Sequence, residues 1–216
     1  MAAPSMRVVT ISSTYGAGGT VVGPVVAQRL GVPYLDRILS SKVTTDAALG
    51  TDDEVQLTED ERSEGMLRRV LDSLASVPAF FGTVITPLDQ AALGEHPVWE
   101  RVEASIVKMA DETGGVVVGR GATCVLRDHA GAFHVRLDGP RSRRVEQAMA
   151  IEGIDSDEAR KRQATIDRTR ASYVKRFYDA DSNDPSLYHL VLDSTALPLD
   201  ACVDLVVDAA RAFWSR

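Results

Sequence analysis

The stretch Val8-Val9-Thr10-Ile11-Ser12-Ser13-Thr14-Tyr15-Gly16-Ala17-Gly18-Gly19-Thr20 sets a short apolar run before a glycine-rich turn, and the turn opens a helical pattern. A buried strand feeding such a turn makes a cradle for an anion, because backbone N–H groups and the positive end of a helix dipole converge there. In the phosphate-binding pattern G-x-x-x-x-G-K-[ST], the Lys adds charge at the β- and γ-phosphates and the hydroxyl holds Mg2+. Gly18 and Thr20 fit that pattern, whereas Ser13 stands at its first Gly and Gly19 at its Lys. The turn is expected to hold an anion without a cation of its own. A dinucleotide fingerprint would also use Gly16-x-Gly18 with Asp36 about 20 residues on, but its first Gly follows the strand directly. Here Ser12 to Tyr15 intervene. A glycine turn without a ligand is the remaining alternative.

Outward from this stretch, strands alternate with helices. Val21, Val22, Val25, Val26 and Leu30 keep helical spacing up to Gly31, with Pro24 expected to kink that helix or delay its start. Val32–Leu35, Val116–Val118, Phe133–Leu137 and Tyr188–Leu192 read as further strands. Helices are expected from Pro97 to the Gly114-Gly115 stop, from Arg141 to about Glu152, from an Asp155/Glu158 capping box to about Phe177, and from Leu199 to Phe213. Residues 37–97 read as a helical insertion. The alternation implies a mainly parallel sheet covered on both faces, as one domain spanning 1–216.

Composition sets limits. The 216 residues carry 24 basic and 31 acidic side chains, a net charge of −7, which argues against a general nucleic-acid binder. Residues 136–176 reverse the sign, with 11 basic residues (nine of them Arg) against 7 acidic ones. Arg grips phosphate bidentately, although a solvated basic helix gives the same count. Cys124 and Cys202 lack metal-ligand spacing and read as free thiols of a reducing cytoplasm. No apolar run is long enough for a membrane span, and no secretory signal is visible at the N-terminus.

With Arg120 between two glycines after the third strand, the chain resembles the cytidylate kinases, and most closely the cytidylate kinase-like family of P-loop phosphotransferases. The motifs are the glycine loop, Leu30–Asp36, Val116–Gly121, Leu137-Asp138-Gly139-Pro140 with its arginines, Asp167-Arg168-Thr169-Arg170, and Leu190–Thr195. Their order and spacing carry the likeness over most of the chain except about 37–97.

The resemblance implies a P-loop, nucleoside-monophosphate-kinase fold: a five-stranded parallel sheet flanked by helices, an acceptor-binding helical insertion at 37–97, and a lid at about 153–187. Tyr15, Gly16, Ala17, Gly18, Gly19 and Thr20 would hold the phosphates of ATP, with Thr20 binding Mg2+. Asp36 would face the metal or acceptor, and Arg120 the acceptor's phosphate. Arg143 or Arg144, with Arg168 and Arg170, would neutralise the transferring phosphoryl group, while Asp167 orients the acceptor's sugar or the lid arginines. Implied is ATP-dependent phosphoryl transfer to a pyrimidine nucleoside monophosphate, CMP or dCMP.

Each residue also has a plainer reading. Thr20 can be an early-helix hydroxyl, Asp36 a turn cap, and Asp167 with Arg170 a surface ion pair three residues apart on one helix. His134 and His189 read as structural.

The chain departs from the family's S-R-x-Y-G-S-G-G-R loop, with Ser13 and Thr20 where arginines fall. Gln147 stands at an expected second Arg, Gly121 at the Asp that follows Gly-Arg in true cytidylate kinases, and Arg37-Ile38 at the usual Thr/Ser-Gly. Lys161 or Arg162 is one candidate source of replacement charge. Without one, the alternative is a catalytically impaired nucleotide-binding regulatory protein; a P-loop kinase for another small metabolite is the third reading. Phe80, Phe81, Val84 and Ile85 suit either a homodimer surface or the core.

Overall fold

The computed structural model describes residues 6–35 and 98–216, with the backbone alone at 98–101. The chain separates into two compact units, one formed by Met1–Leu35 with Glu103–Arg216 and the other by Asp36–Val102. The expected insertion at 37–97, Asp36 and the apolar residues of 80–85 lie outside the described residues.

The strands of the first unit are β1 (Val8–Ser13), β2 (Tyr34–Leu35), β3 (Gly115–Val118), β4 (Ala132–Asp138) and β5 (Leu190–Asp193). All pair in parallel, in the order β2-β3-β1-β4-β5. The helices are α1 (Gly19–Leu30), α2 (Val98–Glu112), α3 (Ala122–Val125), α4 (Arg141–Glu152), α5 (Ser156–Tyr178) and α6 (Leu199–Trp214). The expected strand and helix order holds. β1 runs two residues further than its apolar run, because Ser12 and Ser13 continue the ladder against Arg136 and Leu137. α1 starts at Gly19 and continues through Pro24, so Pro24 does not delay its start. The four-residue α3 has no counterpart in the sequence pattern.

One core cluster lies on one face of the sheet. Val9 and Ile11 of β1, Val116 of β3, and Phe133, Val135 and Leu137 of β4 pack against Val22 and Val26 of α1 and Val203, Val206 and Val207 of α6. The alternate positions of β1 and β4 bring Thr10, Ser12, His134, Arg136 and Asp138 to the opposite face. That polar column ends where the loop after β1 begins.

α4 and α5 are joined by only Gly153, Ile154 and Asp155, with Gly153 in the left-handed region at φ 67°. Residues expected to form a lid are therefore mostly α5 itself. Asp155 caps α5 by accepting the Glu158 N–H at 2.9 Å. The reciprocal half of the expected box is missing, since the Glu158 carboxylate pairs with Arg162 at 2.7 Å.

Candidate functional site

The loop Thr14–Gly18 leaves β1 at the C-terminal edge of the sheet, where parallel α/β sheets bind ligands. Gly16 and Gly18 take φ of 78° and 76°, a region L side chains rarely adopt. A Cβ on Gly16 would also collide with the Arg144 carbonyl oxygen.

Three of the loop's carbonyls, and that of Ser13 just before it, are each held by a different side chain. Arg170 Nη1 donates to Ser13 O at 2.8 Å and Arg144 Nη1 to Tyr15 O at 2.9 Å. Gln147 Nε2 donates to Gly16 O at 2.9 Å, and the buried Ser194 Oγ to Ala17 O at 2.7 Å. The amides divide differently. Tyr15 N–H donates to Asp167 Oδ1 at 2.8 Å and Ala17 N–H to Thr14 O at 3.1 Å. Among the described residues, the N–H groups of Gly16, Gly18, Gly19 and Thr20 donate to no protein acceptor. Four such donors stand at the mouth of a twelve-residue helix, an arrangement of the kind that can bind an anion.

Arg144 is 5% exposed and its contacts are structural: Tyr15 O, Gly139 O at 2.9 Å, and the Asp167 carboxylate at 2.8 Å. Its neighbour Arg143 faces solvent and pairs with Asp193 at 2.6 Å. Asp167, carrying Tyr15 N–H on one oxygen and Arg144 on the other, joins α4, α5 and the loop at one point. Asp167 also acts as an opposite charge on Arg170, three residues along the same helix. The Tyr15 phenol adds a further tie, donating to Glu152 Oε2 at 2.8 Å; burial first, and Glu152 second, push its pKa well up.

Arg170 reaches the loop from α5, while Arg168 is exposed on that helix. Desolvation pulls the Arg170 guanidinium down to about 10, helped by the like charges of Arg136 and Arg144 and opposed by Asp167. Arg162 is engaged by Glu152 and Glu158 and bears on the Tyr15 phenol, while Lys161 is exposed.

Arg120 stands one strand away, at the end of β3, 6% exposed and with φ 60° between Gly119 at 73° and Gly121 at 67°. Three consecutive left-handed residues are costly unless the surroundings enforce them. The turn is pinned to β1 by Gly119 N–H to Ile11 O at 2.9 Å, and Arg120 acts electrostatically on the buried Tyr173. The Tyr178 ring occupies the space a Cβ at Gly121 would need, and its hydroxyl donates to Glu103 at 2.7 Å. An Asp at 121 does not fit this turn.

Thr20 is exposed on the first turn of α1. No group of three His, Cys, Asp or Glu able to hold a metal occurs among the described residues.

Sequence reasoning passed over Arg136, Asp138 and Ser194 as site residues. The alternation of β4 marked the first two, because the apolar Phe133, Val135 and Leu137 leave His134, Arg136 and Asp138 to the other face. Asp138 accepts from Thr14 Oγ1 and from Gly139 N–H, both at 2.8 Å. Gln147 was legible only as an absent arginine; one turn beyond Arg144, it shares the face that meets the loop.

The model of the cytidylate kinase-like family matches residues 8–196. The chain is 30% identical to the uronate isomerase of Corynebacterium glutamicum over 95 residues, 44% of this chain but only 18% of that protein's length. The crystal structure of an uncharacterized protein from Eubacterium ventriosum superposes with a TM-score of 0.66 at 17% identity, covering 96% of this chain and 99% of that one. A gluconokinase from Sinorhizobium meliloti aligns at 18% identity over 99% of this chain and 94% of its own, with a TM-score of 0.47.

Proposed function

Since the chain belongs to the cytidylate kinase-like family, we propose that it is a nucleotide-dependent phosphotransferase whose donor is ATP and whose acceptor is a pyrimidine nucleoside monophosphate, CMP or dCMP. One observation carries this reading: the loop has three of its carbonyls held by side chains and leaves four amides, at Gly16, Gly18, Gly19 and Thr20, without a protein acceptor among the described residues. The donor's phosphates would lie on those amides. Mg2+, arriving with the phosphates and meeting Thr20, would supply countercharge. Arg170 would face the transferring group and Arg120 the acceptor's phosphate. Transfer breaks the bond between the γ-phosphorus and its bridging oxygen and forms one to an acceptor phosphate oxygen. That step asks the protein mainly for in-line positioning and positive charge.

Coupled detection of ADP release with a panel of monophosphates tests the proposal. Turnover highest with CMP or dCMP is expected; folded protein that turns over no acceptor would end the enzymatic reading. A second reading, nucleotide binding without transfer, is favoured by Gly19 at the Lys position, where Ser13 leaves no room for a side chain. It predicts ATP binding by calorimetry with no ADP formed. Under either reading the proposed place of action is the cytoplasm, on the strength of the free thiols Cys124 and Cys202. Among the described residues no helix is long and apolar enough to cross a membrane.

A further inference from the structure

Ser194 is fully buried in the turn after β5, and its N–H donates to Asp138 O of β4 at 3.0 Å. Its hydroxyl has one proton to give and meets two carbonyls, Ala17 O at 2.7 Å and Asp138 O at 3.3 Å. The shorter bond falls on the peptide that joins Ala17 to Gly18. In a trans peptide the C=O and the N–H point in opposite directions. A carbonyl held on buried Ser194 therefore turns the Gly18 N–H away from it. Arg144 does the same at the Tyr15–Gly16 peptide, by holding Tyr15 O at 2.9 Å. Each of these two peptides precedes a glycine of positive φ, 78° at Gly16 and 76° at Gly18. Reversing such a peptide changes ψ of the residue before it and φ of the glycine, and glycine takes φ of either sign at little cost. The backbone alone does not decide whether an N–H or a C=O faces the anion; the side chain that holds the carbonyl does.

We propose that Ser194 is a positioning residue for phosphate binding: its hydroxyl locks the Ala17–Gly18 peptide with the N–H toward the donor's phosphates and the C=O away from them. The inference rests on the reading above that places those phosphates on the loop amides, and it adds a residue from the far end of the chain. With the peptide reversed, an anion would meet a carbonyl oxygen and be repelled. The loop thus has one state that binds and one that rejects, and Ser194 selects the first. Being enclosed, Ser194 acts through Gly18 and not on the nucleotide.

The full chain, isotope-labelled for NMR and titrated with inorganic pyrophosphate, tests this at the glycine amide resonances, with calorimetry alongside for pyrophosphate and ATP. In the wild type the Gly16 and Gly18 N–H resonances are expected to shift together. Ser194→Ala is expected to weaken pyrophosphate and ATP by about tenfold, the loss of one hydrogen bond to a charged group. It should also lose the Gly18 response, while Gly16, still held by Arg144, keeps its own. Ser194→Cys leaves only a weak donor at nearly the same size, and the same changes are expected, which decides the matter if Ser194→Ala does not fold. A packing role alone would lower the thermal midpoint of both variants while the folded protein kept its pyrophosphate affinity and its Gly18 response, and that result overturns the proposal. Equal loss of the Gly16 and Gly18 responses overturns it too, since the loop would then have changed as a whole. Wild-type ATP binding with unchanged affinity in both variants refutes the role of Ser194 and leaves the nucleotide reading standing. Wild-type protein that binds neither pyrophosphate nor ATP removes both.

Discussion

Ser13 Oγ lies 2.5 Å, and Ser13 Cβ 2.8 Å, from the point where a Cβ on Gly19 would stand. These are the positions of the first Gly and the Lys in the phosphate-binding pattern. A side chain at one excludes a side chain at the other, so the two departures form a matched pair. The backbone is no obstacle at Gly19, which is not among the positive-φ residues. Gly19→Lys alone is expected to destabilise the fold by about 1–3 kcal/mol through overpacking. Ser13→Gly with Gly19→Lys should recover most of that loss and accelerate phosphoryl transfer. Urea denaturation of the two variants decides; a Gly19→Lys single variant as stable as the parent would break the coupling.

Arg144 and Asp167 are expected to behave as a unit. Their ion pair at 2.8 Å is largely enclosed, the side chains being 6% and 19% exposed. Removing one partner strands the other, so Arg144→Ala and Asp167→Ala should each cost about 3 kcal/mol, and the double variant clearly less than their sum. Because both residues hold Tyr15, nucleotide affinity should fall with stability in the single variants. Additive losses in a double-mutant cycle would show that the two residues act separately.

Much of this arrangement was legible in the sequence. Hydrophobic runs and turn residues marked all five described strands, the half-exposed β5 included, since an apolar run needs no knowledge of its neighbours. The adjacency of Arg143 and Arg144 implied that only one faces inward, and Arg144 is that one. Less legible was what the inward residues touch. Arg144, Gln147 and Ser194 address backbone carbonyls, and a carbonyl leaves no trace in residue identity. α3 was missed because four residues after a glycine turn are too short for a periodic signal. The half-made capping box at Asp155 failed for a related reason: Arg162, one turn on, competes for the Glu158 carboxylate.

Gly121→Asp would restore the residue of true cytidylate kinases and is nevertheless expected to damage this protein. The added Cβ meets the Tyr178 ring, and φ at 67° disfavours most side chains. A loss of about 2 kcal/mol is expected from the overpacking and backbone strain together. Gly121→Ala should lose a similar amount, since the collision begins at Cβ. Thermal unfolding of the two variants tests this. An unchanged midpoint in either would mean that the Tyr178 ring yields its place freely.

His134 should make stability fall in mild acid. Its ring is 4% exposed, with Nδ1 2.7 Å from Thr10 Oγ1 and Nε2 without a hydrogen-bond partner among the described residues. Desolvation first, then the neighbouring His189 and His129, hold its pKa down to about 4, against the raising influence of the Leu126 and Arg127 carbonyls. The unfolded chain, with an ordinary imidazole near 6.5, binds the proton first. Between about pH 6.5 and 4 the denatured state therefore gains protons that the folded state refuses. Stability present above about pH 6.5 is lost progressively as pH falls through that window, by up to about 3 kcal/mol from this group. His134→Asn keeps a partner for Thr10 and removes the titration. Unfolding free energies of the two proteins, compared at about pH 7.5, 6 and 5, should diverge in slope, with the variant flatter. Parallel slopes would mean that His134 accepts its proton in the folded protein as readily as in the open chain.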